Sequence, residues 1–139
     1  MAGAIMRALL MTGLLAGCGS ATQIPVGGQT VQVSATAGEL RLEPAVVRPG
    51  DVYLVLADSA ASIEFIHRTS DFNDPHAPPL PVTDDDIRSV EQYGTFEGAG
   101  HDVFSVGGYG NVFEIGPLVE GRYVFVLDAT RLAVLEVRD

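Results

Sequence analysis

The sequence predicts an all-β sandwich of seven or eight strands, with one short helix carried in a long loop excursion. Three observations predict it. Apolar residues recur with period two through most of the chain from Thr30 onward. Gly, Pro and Asp turn signals separate these runs at short intervals, and helical spacing with a cap signature occurs once. Short strands with Gly/Pro turns and almost no helix are the pattern of a sandwich.

Each element follows from its residues. Val31, Val33 and Ala35 alternate with Gln32 and Ser34, and Leu40 and Leu42 with Arg41 and Glu43. Arg48-Pro49-Gly50-Asp51 is a turn, and 52–57 is the nearly unbroken apolar run of a buried strand. A turn at 58–61 leads to a strand over 62–67. Further strands are expected over 103–106, 112–115, 122–127 and 132–137. Gly107-Gly108, Gly116-Pro117, Glu120-Gly121 and Asp128-Ala129 punctuate them. The stretch 69–100 breaks the pattern and holds Pro75, Pro78, Pro79 and Pro81. Within it Thr83 is placed to cap a helix, Asp86 completes a capping box, and Val82 can staple onto Ile87. Ile87 and Val90 share a face, and Gly94 ends the element after two or three turns. Asp84, Asp85 and Asp86 fill the first turn, where the helix dipole favours acids, and this placement accounts for them without a cation.

The chain has 139 residues, 47% of them apolar, which is enough for one domain with a core. Its formal charge is −10 and all eight basic residues are arginine. That balance excludes binding nucleic acid or an anionic bilayer by charge, since both need clustered cations. The single Cys excludes an internal disulfide framework and a zinc ribbon.

The first residues have their own composition. Arg7 precedes the apolar run 8–16, too short to cross a hydrocarbon core that takes about 20 apolar residues. The pattern fits an export signal. Leu15-Ala16-Gly17-Cys18 resembles the lipobox of bacterial lipoproteins; an ordinary secretory leader with an incidental Cys is the other reading. The resemblance implies cleavage before Cys18, a thioether-linked diacylglycerol on its sulfur, and an acyl chain such as palmitate on its new amino group. Two or three chains hold a protein stably on a membrane, at about 0.8 kcal/mol per buried CH₂. The expected organisation is a signal peptide over 1–17, lipidated Cys18 and a flexible tether over 18–29, and the sandwich over 30–139. Gly19 after the Cys implies, by the sorting pattern of Gram-negative lipoproteins, the outer membrane facing the periplasm.

Leu40-x-Leu42-x-Pro44-x-Val46-x-Arg48-Pro49-Gly50-Asp51-Val52 is similar to the opening of cupredoxin-like domains. Val119-Glu120-Gly121-Arg122-Tyr123-Val124-Phe125 is similar to their penultimate strand, and 132–137 to their closing one. The resemblance implies a Greek-key sandwich. It does not extend to copper. A type 1 centre needs two His, a Cys thiolate and usually a Met. Met1, Met6 and Met11 all lie in the leader, and the only sulfur left in the mature chain is that of Cys18. The position of the first copper His falls near Ser62, and the loop that supplies the other ligands is Asp128-Ala129-Thr130-Arg131. No cofactor is expected.

His67, His76 and His101 are the only imidazoles. His67 shares parity with Ile63 and Phe65, a structural position. His76 and His101 flank the excursion and could meet near Asp71 or Asp74 as a weak Cu(II) or Zn(II) site. Asp71-Phe72-Asn73-Asp74 lacks the spacing of a calcium loop. Ser105 lacks the leading Gly of a nucleophile elbow, and no phosphate-binding loop exists. Paired carboxylates such as Asp71 and Glu97 carry little weight among 18 acids. The chain is therefore expected to be a non-enzymatic, lipid-anchored binding or structural module of the cell envelope. Its recognition surface would be the excursion, with Phe72, Leu80, Tyr93 and Phe96, and its partner another envelope protein; the other reading is that these side chains pack the excursion onto the sheet, Phe96 above all. The alternative is the metal-handling reading.

Overall fold

A computed structural model of the chain describes residues 23–36, 39–57, 62–106, 111–128 and 131–139. The leader, Cys18, and the turns expected at 58–61, 107–108 and beyond Asp128 lie outside the described residues. Ten strands and one helix are present in these segments: β1 Gln29–Thr36, β2 Glu39–Glu43, β3 Val46–Val47, β4 Gly50–Leu56, β5 Ser62–Thr69, β6 Pro79–Leu80, α1 Asp84–Tyr93, β7 Ala99–Ser105, β8 Val112–Leu118, β9 Gly121–Leu127 and β10 Arg131–Val137. The architecture is the expected all-β sandwich with one short helix in the excursion.

One sheet runs β2-β1-β4-β8 and the other β3-β10-β9-β5, continued by β6 and β7 on β5. β1 pairs parallel with β4, Gln29 opposite Val52, while β8 returns antiparallel along β4. β9 is antiparallel to both β10 and β5. β7 follows the whole of β5 from Ser62 opposite Ser105 to Arg68 opposite Ala99. Alternation does its work in the first sheet: Leu40 and Leu42 are buried while Glu39, Arg41 and Glu43 are exposed. These side chains and Val31, Val33, Leu54 and Leu56 meet Ile63, Phe65, Tyr123, Phe125 and Leu135 between the sheets.

Two departures have physical causes. β8 runs through Gly116-Pro117 instead of stopping there. It is an edge strand, so the missing proline N–H costs no ladder bond. β7 begins at Ala99, earlier than its apolar residues advertise, because β5 supplies a paired edge along its full length. The two-residue β3 and β6 exist only through distant partners, Glu136 and Val137 for one and Arg68 and Thr69 for the other.

The excursion forms a layer of its own. Ile66, Val124 and Val126, on the outer face of the second sheet, pack with Val82, Val90 and Phe96 into a second core. Ile87, Ala99 and Leu132 pack against it. Thr83 caps α1: its hydroxyl accepts from the Asp86 N–H, and the Asp86 carboxylate accepts from the Thr83 N–H. Gly94 closes the helix at φ +82°, its N–H donating to the Val90 carbonyl.

Candidate functional site

The excursion is fastened by a clasp centred on β5. Arg68 donates from Nε to Asp86 Oδ2 at 2.6 Å and from Nη2 to Oδ1 at 2.9 Å. Its guanidinium also lies 5.5 Å from the centre of the Phe96 ring. The Asp86 side chain is only 7% exposed, against 47% for Arg68. Burial is the largest single influence on Asp86 and works to raise its pKa. The Arg68 hydrogen bonds, the Thr83 N–H and the Arg68 charge together outweigh it, so the carboxyl sits below its ordinary value of 3.8. Asp84 pairs with Arg122 and Asp85 with Arg88. The acids stand in the first turn, where the helix dipole was expected to favour them, and each also has an arginine partner; Asp86 is a structural ion.

The three histidines occupy separate settings. His67 is buried on the inner face of β5, its ring 4.8 Å from Phe65. Its Nδ1 faces the Arg68 carbonyl and its Nε2 faces Asp102 Oδ2, each at 2.8 Å. The ring is thus held between a backbone carbonyl of its own strand and a carboxylate of β7. His101 lies on the outer face of β7: it pairs with Ile66, while the adjacent Asp102 pairs with Phe65. Its Nδ1 faces Glu64 Oε2 at 2.5 Å and its Nε2 faces the Thr95 hydroxyl at 2.8 Å. The two imidazole–carboxylate pairs thus fasten β7 to β5 on opposite faces.

His76 lies in the excursion. With Pro75, Pro78 and Pro79 it covers a cleft of about 330 Å³ between the open sides of the two sheets, reached also by Phe65 and Asp102. His76 and His101, the pair of the metal reading, are thus held on different sides of the second sheet. Among the described residues no group of three His, Cys, Asp or Glu is arranged to hold a metal ion. Asp71 and Asp74 are occupied locally: Asp71 Oδ1 accepts from the Asn73 N–H and Asp74 Oδ1 from the His76 N–H, each at 2.9 Å. Ser105 bonds to Ser62 across the β5–β7 ladder.

The aromatic surface divides. Phe72 and Tyr93 are 68% and 71% exposed, Leu80 is half-buried in β6, and Phe96 is 8% exposed. Phe96 therefore leaves the candidate surface, because the second core and the Arg68 clasp claim its ring. Sequence reasoning missed Glu64, Thr95, Asp102 and the pairing of Arg68 with Asp86. The β5–β7 register brings Glu64 and Asp102 to the histidines, while Thr95 reaches His101 from the segment that follows α1. No protein-family model matches the chain, and no curated protein matches it closely enough to count as a relative.

Proposed function

We propose that the protein is a lipid-anchored envelope module that carries a rigid recognition surface on a cupredoxin-like sandwich lacking the copper ligands, with no catalytic role. The observation that carries this reading is the construction of the excursion. A loop of this length would be costly to order at the moment of binding. Here it is ordered beforehand by a second core, a capped helix and the Arg68–Asp86 clasp. Phe72 and Tyr93 stay exposed on that fixed support. A basic or neutral protein surface suits a chain of charge −10 better than a polyanion.

The test has two arms. Intact mass and amine labelling of the mature protein should show a modified Cys18 and no reactive amine, since the chain has no Lys. Photo-crosslinkers at positions 72 and 93 should each give the same discrete adduct in envelopes, lost when the other aromatic is changed to Ala. Diffuse or absent adducts at both positions would refute the recognition surface. For the metal alternative, calorimetric titration with Cu(II) and Zn(II) should be silent; micromolar heats abolished by His76→Ala or His101→Ala would replace our reading with that one.

A further inference from the structure

Seven large apolar side chains are exposed among the described residues, and four of them, Ile24, Val26, Val46 and Val119, share one end of the sandwich. The strand register fixes that end. β1 and β4 begin there side by side, with Gln29 opposite Val52. β8 finishes there, Leu118 opposite Gly50, and β9 begins where β10 finishes, Gly121 opposite Val137. β3 is held there against Glu136 and Val137. The segment before β1, β3 itself and the β8–β9 connection therefore present their valines in one direction. It is also the end at which the chain arrives from Cys18.

The approach is short. The Gly28 N–H donates to the Pro25 carbonyl at 2.9 Å, closing a turn around Val26 and Gly27. Only a six-residue step separates Cys18 from Ile24, at most about 20 Å when extended. A cavity of about 500 Å³ opens at the same end, lined by Gln29, Val46, Arg48, Arg138 and Asp139 among others. The Gln29 side chain fixes its wall, donating to the Arg48 carbonyl at 2.9 Å and accepting from the Arg48 N–H at 2.8 Å. Arg138 reaches Glu136 only at 3.9 Å, and Arg48 has no carboxylate within 4.0 Å among the described residues. The lining sets Arg48 and Arg138 beside Pro44, Val46 and Val47 and also carries one acid, Asp139; the two guanidinium groups outnumber it, and such a pair beside apolar side chains matches a phosphate at an apolar boundary.

We infer that this end is a bilayer-docking face. Val26, Val46 and Val119 enter the interfacial layer of the membrane, and Arg48 and Arg138 take a phospholipid phosphate. The inference rests on the lipid-anchor reading of Cys18. An acidic chain gains nothing from the charge of an anionic leaflet, and a few valines bind a surface weakly. A short tether changes the arithmetic, because it holds the face at an effective concentration on the order of millimolar, where weak contacts suffice. Docking would turn the sandwich's far end toward the aqueous phase.

The test uses the full lipidated protein in vesicles of phosphatidylethanolamine and phosphatidylglycerol. With Cys18 acylated, a cysteine introduced by Val46→Cys, Val119→Cys or Val103→Cys is the only free thiol and takes one fluorophore. Spin-labelled lipids should quench the probes at 46 and 119 at least threefold more than the probe at 103. Arg48→Gln combined with Arg138→Gln should cut that difference by half or more while the protein stays on the vesicles. Vesicle-bound protein with equal quenching at all three positions overturns the docking face and leaves the anchor standing. Probes at 46 and 119 that are shielded from water but not quenched, as packing against a second copy would give, also overturn it. Labelling of Cys18 itself as a free thiol overturns the anchor and the docking face together.

Discussion

Asp86 is the residue whose removal should most clearly separate the excursion from the sandwich. Asp86→Ala deletes a carboxylate that accepts from Arg68 at 2.6 and 2.9 Å and from the Thr83 N–H at 3.0 Å. A hydrogen bond to a charged group contributes about 1.5–3 kcal/mol net, and a lost cap costs about 0.5–2 kcal/mol. These contributions overlap. Arg68 is nearly half exposed and regains water when orphaned, which keeps the total below the full cost of breaking a buried pair. The expected loss is about 3 kcal/mol. With a urea dependence of about 1.5 kcal/mol/M, the unfolding midpoint should fall by about 2 M. Arg68→Met should cost more, about 3–5 kcal/mol, because it strands the buried member of the pair in place of the exposed one.

The pH dependence supplies a check that packing alone cannot imitate. The folded Asp86 pKa lies below the unfolded value, so its contribution is full above the ordinary carboxylate value of 3.8. It is lost as pH falls through the lowered folded value. The stability gap between the wild type and Asp86→Asn should therefore be constant from pH 7 to about 5 and close in more acidic solution. Chemical unfolding followed by circular dichroism at several pH values measures it. A midpoint change under about 0.3 M for Asp86→Ala, or a gap that does not close with acid, would refute the clasp.

Three other changes test the sandwich. Tyr123 is fully buried, and its hydroxyl donates to the Val119 carbonyl and accepts from the Val119 N–H, each at 3.1 Å; Tyr123→Phe should cost about 1–2 kcal/mol in urea unfolding. Burial raises the Tyr123 pKa above its ordinary 10.0, so the wild type should lose stability as pH rises past that value, and Tyr123→Phe should lose less. Gly100→Ala would place a Cβ 2.7 Å from His67 Cε1, pushing the ring off Asp102; a loss of about 1–3 kcal/mol and a shifted His67 proton resonance are expected. Gly121→Ala combines φ +142° with a Cβ 2.4 Å from Pro81 Cβ, so it should lower the midpoint further than Gly100→Ala does.

How much of this was legible depends on the reach of each signal. β1 and β2 could be read because alternation is local and one face is buried; α1 could be read because its caps lie at fixed offsets from it. The offset marked Asp86 as the capping-box residue but not as a buried ion, because that role comes from Arg68, eighteen residues away. The imidazole partners were hidden for a similar reason. Parity put His67 on the inner face, but only the pairing of Phe65 with Asp102 and of Ile66 with His101 assigns each ring its carboxylate. Phe96 admitted two readings, an exposed aromatic or one packed onto the sheet, and the second core that decides for packing has no signature in the residues around it.

One signal for that core was present in β9. Tyr123, Val124, Phe125, Val126 and Leu127 are all buried, five in succession. A sandwich strand with one face in water cannot do this, since alternate side chains would be solvated. An unbroken apolar strand requires a layer on each face, and the first sheet covers only the inner one. The outer layer must come from elsewhere in the chain, and among the described residues 69–100 is the only segment long enough that lies largely outside the strands of the sandwich. β9 therefore encodes the docking of the excursion as firmly as the excursion's own residues do. It follows that the excursion is a constitutive third layer, and that Phe72 and Tyr93 are held out from it by the same burial that takes Phe96 in.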